Sequence, residues 1–206
     1  MATQGQVTPN RRGARSREVV LNAAERLMAE HGYEAATTSA IVKAAGIPIS
    51  SVYHYFGSKN GILLAVMERG AQRFFAALDL PTERVGTSEE HLHLAGAAVQ
   101  KALQEHPSFL RLLLVLSMQP AVHDEHDTRK VVRQVRDQAL AGLRAQFALA
   151  LGADPDGDAA ATLARFALAM FDGAFVAGQA DDPDALSQVL DHLPTAILTL
   201  SATFDS

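Results

Sequence analysis

A chain of 206 residues can hold one large domain or a small module joined to a larger one, and either can bury a core. Its net charge of −5 excludes a uniformly basic nucleic-acid coat, but the charge is uneven: residues 1–60 carry seven Lys and Arg against four Asp and Glu, and the remainder eleven against nineteen. The absence of cysteine removes disulfide frameworks and thiolate metal sites, which suits a reducing cytoplasm.

Residues 1–14 read as a flexible basic tail, Gly/Gln/Pro-bearing and then Arg-rich. Arg11, Arg12 and Arg15 serve either as a solubilising tail or as an arm that tracks phosphates or a minor groove. No apolar export segment is evident in this stretch. The most apolar run, Phe109 to Met118, is too short for a bilayer and is interrupted by Arg111, so no membrane association is expected.

From there on, apolar residues recur at spacings of three and four, and no long alternating run bounded by turn residues interrupts them, so the chain reads as all-α with about nine helices. The first, about Ser16 to His31, carries Val19, Val20, Ala23, Ala24, Leu27 and Met28 on one face and stops at Gly32. A short helix follows from Thr38, as N-cap, to Ala45, with Gly46 beyond its end. Pro48 opens a third helix to about Tyr55, because proline in the first turn has no needed N–H to lose. Gly57 and Ser58 break and recap the chain for a fourth helix, about Lys59 to Leu78. Clusters of Pro, Gly and Asp divide the rest into helices at about 88–105, 107–119, 127–151, 158–179 and 184–203.

Two short helices about a tight glycine turn, from Thr38 to Tyr55, have the arrangement of a helix-turn-helix, whose second helix enters the major groove. On that helix Ile49, Ser50 and Ser51 are small enough to approach base edges, while Tyr53, His54 and Tyr55 bring donors suited to phosphate oxygens. Lys59 adds a cation beside a helix N-terminus, a pairing that favours an anion. No Arg or Lys lies between Ile49 and Phe56, so bidentate guanine readout is not expected from this helix.

Thr37-Thr38, Ile41, Ala45-Gly46-Ile47 and Val52-Tyr53-His54-Tyr55-Phe56-Gly57-Ser58-Lys59 are the residues through which the sequence closely resembles the TetR family of regulators. The resemblance covers roughly residues 15–67; the C-terminal part matches only in length and helix count. It implies a helix-turn-helix DNA-binding domain over 15–60 and an effector-binding, dimerising helical bundle over 61–206. It also implies a homodimer on palindromic double-stranded DNA, acting as a repressor that a small apolar effector releases. Carried over residue by residue, the resemblance puts Thr38, Tyr53, His54, Tyr55 and Lys59 at phosphates, and Ser39, Ile49, Ser50 and Ser51 at or near base edges. Phe56 is then core. Pro48 departs from the family's usual serine and Ser50 from its usual glycine, and Pro48 has no hydrogen to offer a phosphate.

In the C-terminal part, ordinary core packing and an enclosed cavity both account for the apolar residues at helical spacing. The family's effector cavity makes Phe74, Phe109, Leu113, Met118, Phe147, Phe166 and Met170 candidate lining residues. The small residues Gly173, Ala174, Ala177 and Gly178 allow another helix to approach closely, either within the chain or, as the family implies, across a dimer interface.

Eight histidines invite a metal-enzyme reading, which the spacings do not support. A helical di-iron site needs two Glu-x-x-His units and only Glu90 to His93 fits; His123 to His126 falls in a loop. The run from Asp154 to Asp158 lacks the glycine and glutamate of a calcium loop. Neither a phosphate-cradling glycine loop nor a nucleophile elbow is present, so no metal, cofactor or catalytic role is expected. A helical small-molecule-binding protein without DNA activity is the alternative class, and the N-terminal sequence argues against it.

Overall fold

The computed structural model describes residues 11–118, 126–180 and 182–204. Among these, nine helices and no strand are present: α1 Arg11–His31, α2 Thr38–Ala45, α3 Ile49–Phe56, α4 Lys59–Ala77, α5 Ser88–Glu105, α6 Pro107–Met118, α7 His126–Leu151, α8 Asp158–Ala180 and α9 Ala185–Ser201. The all-α reading holds. The expected loop histidine His123 lies outside the described residues.

The described residues form two compact units. The first holds the residues up to Gly70 together with Ser108–Val131; the second holds Ala71–Pro107 and the chain from Val132 onward. In the first, α1 buries Val20, Leu21, Ala24 and Met28, spaced so that one helical face points inward, and Ile41 of α2, Val52 of α3 and Ile62, Leu63, Val66 and Met67 of α4 are buried as well. The inward face is turned from the expected one, for Leu21 is fully buried and Val19 exposed. The helix also begins at Arg11 rather than near Ser16. Phe109, Leu110, Leu112, Leu113 and Leu116 of α6 are buried.

The core of the second unit joins Leu92 of α5, Phe147 and Ala150 of α7, Leu163, Ala164, Ala167 and Phe171 of α8, and Leu190, Leu193 and Ile197 of α9. By length and composition α8 could cross a membrane. Its apolar character is used here on the face that carries this core. A polar network sits beside it: fully buried His91 accepts the Val85 N–H at Nδ1, 3.2 Å away, and so donates from Nε2 to Gln146 Oε1 at 3.1 Å. Gln146 Nε2 in turn donates to the Pro81 carbonyl at 3.0 Å, and Ser88 Oγ to that of Ala150 at 2.7 Å, so the chain before α5 is fastened to α7.

Candidate nucleic-acid interface

Local chemistry sets the two short helices. Thr37, in extended backbone, is the N-cap of α2; its Oγ1 accepts the Ala40 N–H at 3.1 Å. The cap is therefore Thr37 and not the expected Thr38, which is already the first helical residue. Gly46 closes α2 with φ of 63°, a left-handed conformation that costs a residue with a Cβ more than glycine. Pro48 then stands just before α3, with φ of −56° and ψ of 139°.

α3 has one fully buried side chain, Val52, so it is held on one side only. Ile49, Ser50, Tyr53 and His54 share the opposite, exposed face, and Ser51 and Tyr55 lie at its borders. Ile49 and Tyr53 are 46% and 49% exposed, a large apolar area to leave in water on an eight-residue helix. The expected core residue Phe56 is half-buried, with the Arg17 guanidinium 5.3 Å above its ring. Arg17 is a contributor that the sequence did not distinguish from its arginine neighbours.

After α3 the chain turns at Gly57, and Ser58 Oγ caps α4 by accepting the Gly61 N–H at 3.0 Å. A Cβ on Gly61 would collide with the Phe56 carbonyl. Lys59 opens α4 and reaches back: its Nζ donates to the Glu34 carbonyl at 3.1 Å and lies 4.2 Å from the Tyr33 ring centroid. Only about a quarter of its side chain is exposed. Thr38 and exposed Ser39 stand at the α2 N-terminus, whose first amides lack an intrahelical acceptor.

The other candidates divide between the units. Phe109, Leu113 and Met118 belong to the first; Phe74, Phe147, Phe166, Met170 and the stretch from Gly173 to Gly178 belong to the second. Phe74, Phe109, Leu113 and Phe147 are buried and Phe166 partly so, while Met118 is 73% exposed and Met170 also faces outward. On α8, Ala174 is buried, Ala177 and Gly178 are half-buried, and Gly173 is exposed. Glu90 is engaged in the cap of α5, and His93 lies by Glu89.

Residues 20–66 match the family described as bacterial regulatory proteins, tetR family. Over these residues the chain is similar to the TetR family. The transcriptional repressor AcnR of Corynebacterium glutamicum is 40% identical over 58 residues, 28% of this chain and 31% of that protein, so the match spans about a third of the relative. Over longer stretches the similarity is one of fold. The TetR-family regulator PfmR of Thermus thermophilus superposes with a TM-score of 0.63 at 25% identity, covering 87% of this chain and 97% of its own. A transcriptional regulator from Rhodococcus has a TM-score of 0.71 at 22% identity, with 89% and 96% covered. Most of the chain therefore has a solved architectural counterpart, while the family match is confined to residues 20–66.

Proposed function

We propose that this protein is a sequence-specific DNA-binding transcriptional repressor that acts as a homodimer and is not an enzyme. One observation carries the reading: the exposed Ile49-Ser50-Tyr53-His54 face of α3, set between the glycine turns at Gly46 and Gly57, lies inside the stretch that matches the family. Ser39, Ser50 and Ser51 read base edges and Ile49 meets a thymine methyl, with DNA shape supplying the remaining specificity. Thr38, Tyr53, His54 and Tyr55 meet phosphates, joined by the part of the Lys59 ammonium that Glu34 and Tyr33 leave open.

The dimer is proposed to form through α8 with α9. A Cβ on Gly173 or Gly178 would meet nothing within 4 Å among the described residues, and neighbouring Val176 is 51% exposed, which supports an approach by a second copy. Two heads related by a two-fold axis meet inverted half-sites, hence a palindromic duplex. A small, largely apolar effector is proposed to bind the C-terminal part of the chain and release the DNA, with the cytoplasm as the setting. Tenfold release requires about 1.4 kcal/mol of coupling.

Selection of bound sequences from a random duplex pool, followed by footprinting, tests the reading. A palindromic site protected over two half-sites is expected. Failure to enrich any sequence, or a monomeric footprint on an asymmetric site, overturns it.

A further inference from the structure

Positive charge in the C-terminal part of the chain is concentrated near the start of α7. Residues 61–206 hold eleven Lys and Arg against nineteen Asp and Glu, and four of the eleven, Arg129, Lys130, Arg133 and Arg136, fall within eight residues. Asp127 is the only acidic residue of α7 before Arg136. The helix itself does not explain this placement, because its macrodipole disfavours cations in the first turns and like charges three and four residues apart repel. Arg136 donates to Asp172 Oδ2 at 2.7 Å. Arg129 also has a partner in the chain, yet it remains exposed, as do Lys130 and Arg133.

Thr128 fixes where the beginning of this run stands. It is 2% exposed, and its Oγ1 donates to Asn60 Oδ1 at 2.9 Å. Asn60 is the second residue of α4 and follows Lys59; Asn60, Thr128, Arg129 and Lys130 all belong to the first compact unit. The bond therefore sets the first turn of α7 beside the first turn of α4, where Lys59 is proposed to meet a phosphate. Thr128, Val131 and Val132 are buried, so Arg129 and Lys130 occupy the side of α7 turned away from the core.

We infer that Lys130, with Arg129 beside it, contacts phosphates of the operator duplex as a second backbone-binding element outside the helix-turn-helix. Charge selects the occupant: an acidic C-terminal part presents its densest cationic run next to the DNA-binding residues, and a duplex carries one negative charge per about 1.7 Å of axis. Contacts of this kind add affinity and fix orientation without reading sequence. The inference rests on the DNA-binding reading above.

The test uses the full-length chain and the duplex enriched by the wild type. Lys130→Gln, Arg129→Gln/Lys130→Gln and Lys101→Gln, which removes an exposed lysine of α5, are compared over a salt titration, and thermal unfolding checks their folding. Lys130→Gln is expected to flatten the log–log salt dependence by about one unit and the double variant by up to about two, with the same fractional loss of affinity on single-base variants of the site. Lys101→Gln should keep the wild-type slope. Ethylation of single phosphates should weaken wild-type binding at a position to which Lys130→Gln is indifferent. A folded Lys130→Gln with the wild-type slope overturns the contact, and so does a change that Lys101→Gln reproduces, since net charge would then explain it. A loss confined to particular base pairs also overturns it. If the double variant does not fold, Lys130→Gln decides by the same criteria. A wild type that enriches no sequence overturns the DNA-binding reading and the contact together; an unaltered slope in Lys130→Gln beside a wild type that does enrich one overturns the contact alone.

Discussion

The Lys59 ammonium lies 4.2 Å from the centroid of the Tyr33 ring while donating to the carbonyl of Glu34, 25 residues earlier in the chain. A residue at the start of α4 therefore holds the connection between α1 and α2. Lys59→Met keeps most of the aliphatic stem and removes the charge. It should destabilise the first unit by about 1 kcal/mol, the scale of one hydrogen bond plus a partly exposed cation–π contact. It should also flatten the salt dependence of DNA binding by about one unit if the remaining ammonium face meets a phosphate. Thermal unfolding and a salt titration separate the two effects, and an unchanged slope leaves Lys59 with the tether alone.

Tyr53 and Ser51 differ in the contact proposed for them. Tyr53 is half exposed, so Tyr53→Phe should leave stability within about 0.5 kcal/mol. Binding to all duplexes should weaken by about 1 kcal/mol, the worth of one hydrogen bond to a phosphate. Ser51→Ala should instead change the base preferred at one position of the half-site. Affinities over a panel of single-base operator variants distinguish a uniform loss from a selective one, and a selective loss in Tyr53→Phe would contradict its assignment.

The α2 cap gives a comparison between adjacent identical residues. Thr37→Ala removes the oxygen that accepts the Ala40 N–H and should cost about 1 kcal/mol, whereas Thr38→Ala, one position inside the helix, should raise stability by a few tenths of a kcal/mol, since alanine is the better helix former. Urea unfolding of the two variants measures the difference. Equal changes would mean that the capping bond contributes nothing in solution.

The pair Thr37 and Thr38 also shows what the sequence could and could not reveal. Gly46, Gly57 and the cluster around Pro81 mark where helices stop, and the bounds of α2 and α5 followed from them. Which of two threonines caps depends on one ψ angle, and that is not written in residue type. The start of α1 was missed because Arg11 to Arg15 contain no apolar periodicity, so nothing separates helix from tail there. Arg69 resembles any solvated arginine until the fold brings Glu18, Asn22 and Glu25 around it, and the need for glycine at position 70 exists only once Phe109 has been placed. Apolar spacing likewise names large residues without saying which neighbour they meet. Phe109 is packed on Gly70, while Met118, its companion among the lining candidates, is exposed.

The N-terminus of α5 should respond to acid. Glu90 Oε2 accepts the Thr87 backbone N–H at 2.8 Å, and this bond, with a further one involving the Thr87 side chain, holds the carboxyl below its ordinary range. A depressed folded value means that the stabilisation is present above the unfolded pKa and is lost as pH falls through the folded one. Amides in the first turn of α5 should therefore exchange faster as pH drops through the carboxylate range, after correction for intrinsic exchange. Glu90→Gln, which still accepts a hydrogen bond but does not titrate, should abolish that trend. If the trend survives in Glu90→Gln, its source lies elsewhere.

His91 and Gln146 form a buried, hydrogen-bonded polar pair in the second unit, and their energetics should show it. Replacing His91 by Leu strands the Val85 N–H and the Gln146 side-chain carbonyl; replacing Gln146 by Leu strands the His91 Nε2–H and the Pro81 carbonyl. Each stranded group costs roughly 1–3 kcal/mol, so either single substitution should remove at least about 2 kcal/mol of stability. In the double variant the His91–Gln146 bond is absent from both sides, and only Val85 and Pro81 are left to find water or each other. The double loss should therefore fall short of the sum of the single losses by about 1 kcal/mol or more, the coupling expected of residues in direct contact. Denaturant unfolding of the four proteins closes the cycle. Losses that add to within about 0.3 kcal/mol would mean that the two side chains do not share a hydrogen bond in solution and that His91 is held by Val85 alone.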